Sequence, residues 1–332
     1  MRRYLRLLGL FLLIQACIFA ALYVASRPSQ NYIALTATKS DLLATAPSPR
    51  IVLIGGSNLA FGIDSPLLQK ELGGRYHAVN MGLSAGLGLP FELNQAAAGL
   101  RPGDLVVLSL EYETLWSNGA EPFILWSALL QHPTVWRFVP ADEKLRLFGH
   151  VLDEPLLQAH YVTSVDYYTL RKDLGRALGH HAQSPGEAAY SSTGYDKYGD
   201  QTAAWKVASE YDVQSAPLMA APYSPGQVAT NVAALQAFIS RCRSMRVRAV
   251  YSYPPAERTW YQDNSRSIQR ISRILESRLP ITFLNVAAAE ERPPQEFFDT
   301  RYHLRGPAVQ QRTRDLAETL RTYLASVASA SR

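Results

Sequence analysis

Three short blocks hold the side chains with which this chain could do chemistry. The first, "RIVLIGGSN", breaks an aliphatic run on two glycines and Ser57. An apolar run of that length reads as a buried parallel strand, so the serine is delivered at a strand's carboxyl end, in a tight turn. A serine hydroxyl is a weak nucleophile until a base takes its proton, and that base needs a third group to fix its tautomer. Among seven histidines, His303 has the most telling surroundings: in "EFFDTRYHLRGPAV" Asp299 stands four positions before it, and a proline-started helix follows from Pro307. The remaining block, "VNMGLSAGLGLP", supplies Gly82, Gly86 and Gly88, which let backbone approach a ligand and leave N–H groups unencumbered. Such donors hold the oxyanion of an acyl-transfer intermediate, and losing one typically costs about 3–4 kcal/mol of transition-state stabilisation.

These blocks need a scaffold that brings them to one rim. Strands are expected at Ile51 to Ile54, Tyr76 to Asn80, Leu105 to Leu110, Val247 to Ser252 and Thr282 to Val286. Helices are expected between most of them: Pro66 to Leu72 with Ser65 as its cap, Pro90 to Gly99, Gly226 to Met245, and Tyr261 to Leu279. The alternation is that of a parallel sheet covered on both faces, an α/β flavodoxin-like three-layer sandwich with five strands. In an open sheet of this kind the loops at the carboxyl ends of the strands surround the ligand crevice. Ser57 and His303 thereby fall on a common edge. Residues 113–224 lack the strand rhythm and carry four of the five tryptophans, many tyrosines and Pro/Gly punctuation. They read as an inserted, mainly helical and irregular subdomain that forms a wall or lid over the crevice.

Composition excludes several function classes. The chain has 332 residues, 47% hydrophobic and 18% charged, ordinary for a globular protein. Its net charge of +5 comes mostly from four arginines in the first thirty residues, which contain no acid; the rest is close to neutral, which does not suit a nucleic-acid face. Arg2, Arg3 and Arg6 precede an uncharged stretch from Leu7 to Ser26, long enough for a bilayer-spanning helix, so residues 1–26 are expected to be a membrane anchor with a cytoplasmic N-terminus and a translocated body. A signal peptide cleaved near Val24 and Ser26 is the rival, with an unusually long apolar region. Residues 27–49, polar and small, read as a juxtamembrane spacer with one helical turn. Cys17 and Cys242 are the only cysteines, so no disulfide within the body and no Cys-rich metal site is expected. "GGSNLAFG" does not supply a dinucleotide fingerprint, and Asn80, not an acid, ends the second strand. No cofactor is expected. His180 and His181 read as solvated loop residues, and Glu111 and Glu113 as helix or salt-bridge partners at the end of the third strand.

Taken together, "GGSN", "NMGLSAG" and "DTRYHL" resemble the SGNH (GDSL-like) hydrolase superfamily over residues 50–112 and 225–326, with the insertion outside the likeness. The resemblance implies Ser57 as nucleophile, Gly82 as an oxyanion donor through its N–H, His303 as base and Asp299 as its orienter. Two departures stand out. Asp299 and His303 have three residues between them where the family commonly has two, and "LSLEYETLW" lacks the family's third-block asparagine. Either Asn58 or a group from the insertion completes the oxyanion hole, or the hole has two donors. In plan the chain is similar to membrane-tethered relatives that modify envelope polymers, such as alginate O-acetylation proteins and the D-alanyl transfer protein of teichoic acids. The expectation is an extracytoplasmic serine esterase or O-acyltransferase on an acylated polysaccharide, anchored in the cytoplasmic membrane beside a membrane-bound O-acyltransferase. A catalytically silent scaffold that binds polysaccharide or a membrane partner is the alternative.

Overall fold

Parallel strands buried on both faces must be apolar at successive positions, and the two central runs "IVLI" and "LVVL" meet that need without a polar residue. The computed structural model describes residues 2–26, 32–117, 120–153, 188–209 and 223–330. Its sheet is built from β1 (Arg50–Ile54), β2 (His77–Asn80), β3 (Leu105–Leu108), β4 (Arg248–Tyr251) and β5 (Thr282–Phe283), all parallel, in the order β2-β1-β3-β4-β5. That is the doubly wound order of flavodoxin-like sheets. The expected α/β architecture with a five-stranded parallel sheet is therefore present.

The helices are α1 (Arg2–Ser26), α2 (Leu35–Thr45), α3 (Ser57–Ala60), α4 (Ser65–Glu71), α5 (Leu89–Ala97) and α6 (Tyr112–Trp116). Beyond them come α7 (Pro122–Gln131), α8 (Ala141–Asp153), α9 (Pro225–Ser244), α10 (Arg258–Asp263), α11 (Ser265–Arg278) and α12 (Gly306–Ala330). Alternate strand residues point to opposite faces. Ile51, Leu53, Leu105 and Val107 meet Leu68 of α4 and Leu316 and Leu320 of α12. Val52, Ile54, Val106 and Leu108 meet α5, α9 and α11 through residues such as Leu93, Leu235 and Ile271. Two helical layers thus cover the sheet.

Several local expectations change. The cap of α4 is Asp64, whose carboxylate accepts from the Leu67 N–H at 2.9 Å; Ser65 is already helical and gives its hydroxyl to Asp200 at 2.9 Å. The spacer expected over residues 27–49 is not one from Tyr32 onward. Three residues of 3₁₀ helix lead into α2, Leu43 is fully buried, and the Lys39 ammonium donates to the carbonyls of Asn80 and Gly199 at 2.9 and 2.6 Å. A polar composition hid this because α2 is held by buried polar side chains (Thr36, Lys39) as much as by apolar ones. α1 is continuous over 25 residues, with Leu7, Leu8 and Leu10 to Ile14 exposed. Among the described residues, however, no helix is long and apolar enough to cross a membrane, so the anchor expected at residues 1–26 gains no support from the fold.

Of the insertion, α7, α8 and a 3₁₀ turn at Pro133–Phe138 are helical as expected, and their apolar residues close over Leu83, Leu87 and Phe91 beyond β2. Residues 188–209 are irregular and pack Ala189, Ala204 and Val207 on Phe61 and Phe298. His160, His180 and His181 lie outside the described residues. Both cysteines are free, as the sequence required. Cys242 is buried in α9, and burial pushes its thiol up to about 12. A maleimide titration should therefore find Cys242 unreactive in the native protein and reactive once denaturant is added; fast labelling of Cys242 without denaturant would contradict the packing of α9.

Candidate active site

The chain leaves β1 through Gly55 and Gly56 because no side chain fits there. A Cβ on Gly55 would stand 2.0 Å from the Ser109 carbonyl oxygen, and one on Gly56 would stand 2.5 Å from a Glu111 carboxylate oxygen and 2.7 Å from the Ala85 nitrogen. With this clearance Ser57 opens α3 at the carboxyl edge of the sheet, partly exposed. Its hydroxyl donates to Glu111 Oε1 at 3.3 Å, and the Asn58 N–H donates to the same oxygen at 2.8 Å.

Asn58 faces inward. It is fully buried, gives its amide N–H to the Ser109 carbonyl at 2.9 Å, and accepts Arg312 guanidinium N–H groups at its side-chain oxygen (2.9 Å) and at its backbone oxygen (2.6 Å). The amide is a bolt that fastens α3 to β3 and α12, which turns it away from the oxyanion role offered by the sequence. Gly82 also has a packing reason to be glycine, since a Cβ would lie 2.6 Å from that of Leu59 and 2.7 Å from the Gly56 oxygen. Its N–H is already given to Asn80 Oδ1 at 2.9 Å. Both donors proposed for the oxyanion are therefore engaged within the protein in this state.

The late pair does form. His303 Nδ1 lies 2.8 Å from Asp299 Oδ1. The loop between them closes tightly because the Thr300 hydroxyl accepts the His303 N–H at 3.2 Å and Phe297 pairs with Leu304 across it. Three intervening residues are thus no obstacle. The loop is pinned from outside as well: Tyr302 gives its hydroxyl to Glu113 at 2.5 Å, and Arg301 forms an ion pair with Glu113 at 2.6 Å, which bears out the reading of Glu113 as a salt-bridge partner.

Tyr190, from the insertion, completes the group. Its hydroxyl donates to Asp299 Oδ2 at 2.5 Å and lies 3.3 Å from His303 Nδ1. Burial, followed by the charge of Asp299, pushes the phenol well above its ordinary range, so it stays a donor. With one Asp299 oxygen taken by Tyr190, the other is left for the Nδ1 proton, which leaves Nε2 as the nitrogen that gives or takes a proton. The imidazole stacks on Phe61, ring centres 3.9 Å apart and planes within 6°. Phe61 in turn bonds through its N–H to the Ser57 carbonyl at 2.9 Å. His303 thus stacks on a residue one helical turn along from Ser57, and among the described residues no hydrogen bond joins the Ser57 and His303 side chains.

Beside Gly55 and Met81, Glu92 is buried with neither carboxylate oxygen partnered. Burial and then the charge of Glu111 push its carboxyl well above the usual range, which favours its neutral form. Among the described residues no cluster of three or more His, Cys, Asp or Glu side chains is arranged to hold a metal ion. Sequence reasoning missed Tyr190, which has no pattern around it; Glu111, read as a helix or salt-bridge partner, takes the Asn58 N–H at the start of α3 and also the Ser57 hydroxyl. Strand polarity was the available signal for Glu111, because the third strand ends at the same rim as the first. No family model matches the chain, and no curated protein matches it either.

If Asp299 orients the imidazole, Tyr190 shares that work. Tyr190→Phe should lower kcat on an ester substrate by roughly tenfold, the equivalent of one hydrogen bond to a charged group, with unfolding little changed. An unaltered kcat would place the phenol outside the working site.

Proposed function

We propose that the chain is a serine esterase or O-acyltransferase of the SGNH type that acts on an acyl ester of an envelope or exported polysaccharide. The observation that carries this reading is the Asp299–His303 pair, 2.8 Å apart, stacked on Phe61 one helical turn from Ser57. Ser57 forms the acyl-enzyme, and His303 exchanges protons with the oxygens that leave and enter. Water as acceptor gives hydrolysis; a sugar hydroxyl gives transfer.

A setting at the outer face of the cytoplasmic membrane, next to a membrane-bound O-acyltransferase, belongs to the same proposal. What supports it is the sequence of residues 1–26: Arg2, Arg3 and Arg6 stand on the N-terminal side of the uncharged stretch from Leu7 to Ser26, the charge pattern of a cytoplasmic N-terminus. The chain's aromatic insertion, which brings Tyr190 to Asp299, suits sugar contact.

One observation favours a silent scaffold that binds polysaccharide or a membrane partner: the N–H of Gly82 and the amide of Asn58 are both occupied internally. Acyl release separates the two. Release of acetate from an O-acetylated polysaccharide or from p-nitrophenyl acetate, absent in Ser57→Ala, supports the enzyme; polysaccharide binding that is equal in both proteins, without release, supports the scaffold.

A further inference from the structure

We propose that Glu111, not His303, is the group that takes the proton of Ser57. The inference rests on the acyl-transfer reading and assigns a second catalytic carboxylate within it. The Ser57 hydroxyl already donates to Glu111 Oε1, at 3.3 Å, while the imidazole bonds Asp299 and Tyr190. Glu111 stands three residues past β3 and is 4% exposed, Ser57 stands three residues past β1, and the parallel pairing of these two central strands brings both to one rim. Its other oxygen, Oε2, is buried without a partner.

Charge bookkeeping favours this base. When Ser57 Oγ attacks an acyl carbon, the Oγ–C bond forms, the O–H bond breaks, and the carbonyl electron pair moves to oxygen. If the proton goes to Glu111 Oε1, one negative charge leaves a buried carboxylate as one appears on the oxyanion, so the site never holds both. A carboxylate that stayed ionised beside Ser57 would oppose the oxyanion directly.

The remaining proton steps balance. The alcohol expelled from the tetrahedral intermediate takes a proton from the imidazolium of His303, whose charge Asp299 supports. In the second half, the acceptor hydroxyl returns a proton to His303 as it attacks the acyl group, and the Ser57 oxygen leaves with the proton held on Glu111. Both residues end as they began. The two carriers thus have separate duties: Glu111 serves the nucleophile and His303 serves the substrate's oxygens.

A fluorophosphonate separates these duties, because its fluoride leaves without a proton from His303. In the full-length chain, Glu111→Gln is expected to slow labelling of Ser57 by about 10²–10³-fold and His303→Asn by less than tenfold. Added formate should restore labelling of Glu111→Ala at least several-fold, which a merely structural carboxylate would not do and which keeps the test alive if the glutamine variant folds poorly. A larger loss in His303→Asn than in Glu111→Gln, or no formate rescue, overturns the assignment. Wild-type protein that labels no faster than Ser57→Ala would remove the acyl-transfer reading itself, and this inference with it.

Discussion

Ser57→Ala is expected to lower ester turnover by about 10⁴-fold or to the uncatalysed background, the largest single effect on activity the site allows. His303 and Glu111 remain, and the loops that surround the crevice remain, but no acyl-enzyme forms. The loss is chemical, not structural. The hydroxyl makes one hydrogen bond, the 3.3 Å contact to Glu111, whose oxygen keeps the Asn58 N–H, so removal costs roughly 0.5–1.5 kcal/mol of stability at most. Initial rates of p-nitrophenyl acetate hydrolysis, with urea unfolding of the same preparations, test both halves of the expectation. Equal rates for variant and wild type, both above background, would leave Ser57 without a catalytic role.

Asp104→Ala is expected to be the most damaging change to stability, by about 3–5 kcal/mol. Arg50 and Asp104 are fully buried, and they meet twice, Nε to Oδ1 at 2.9 Å and Nη2 to Oδ2 at 2.5 Å. The guanidinium also donates to the carbonyls of Leu43 and Gly99, and Asp104 accepts the Arg101 N–H at 2.7 Å. One ion pair therefore ties α2, the end of α5, β1 and the entry to β3. Deleting the acid strands a guanidinium in the interior, which is far costlier than the net worth of the pair. Replacing both residues with apolar ones of similar volume should recover much of the loss, while the single variant shows a lowered urea midpoint. A single variant within about 1 kcal/mol of wild type would mean that water reaches Arg50.

The sheet was legible because central parallel strands announce themselves: "IVLI" and "LVVL" have no polar residue, and a strand buried on both faces cannot carry many. The late Asp/His pair was legible for a different reason, since two chemistry-bearing side chains next to a helix start leave few bland explanations. Elements held by buried polar groups were not legible. α2 looks like a spacer until Lys39 is seen between the carbonyls of Asn80 and Gly199. Arg50 looks like the charged start of a strand until Asp104 is seen beside it. Asn58 and Gly82 stand in the right blocks for oxyanion donors, but the deciding fact is what else their N–H groups meet, and that depends on Ser109, Arg312 and Asn80. Tyr190 reaches Asp299 from 109 positions away in an irregular segment, where neither period nor spacing carries information.

The guanidinium of Arg312 has a bearing on when the seat of Ser57 is completed during synthesis. It reaches back 254 positions to clasp both the backbone and side chain of Asn58, the neighbour of Ser57. A nascent chain that has exposed β1 through β5 carries the reactive hydroxyl but not the clasp that seats its helix. That seat is complete only once the ribosome has delivered α12, so a fragment released earlier would carry Ser57 without the contact that fixes its neighbour.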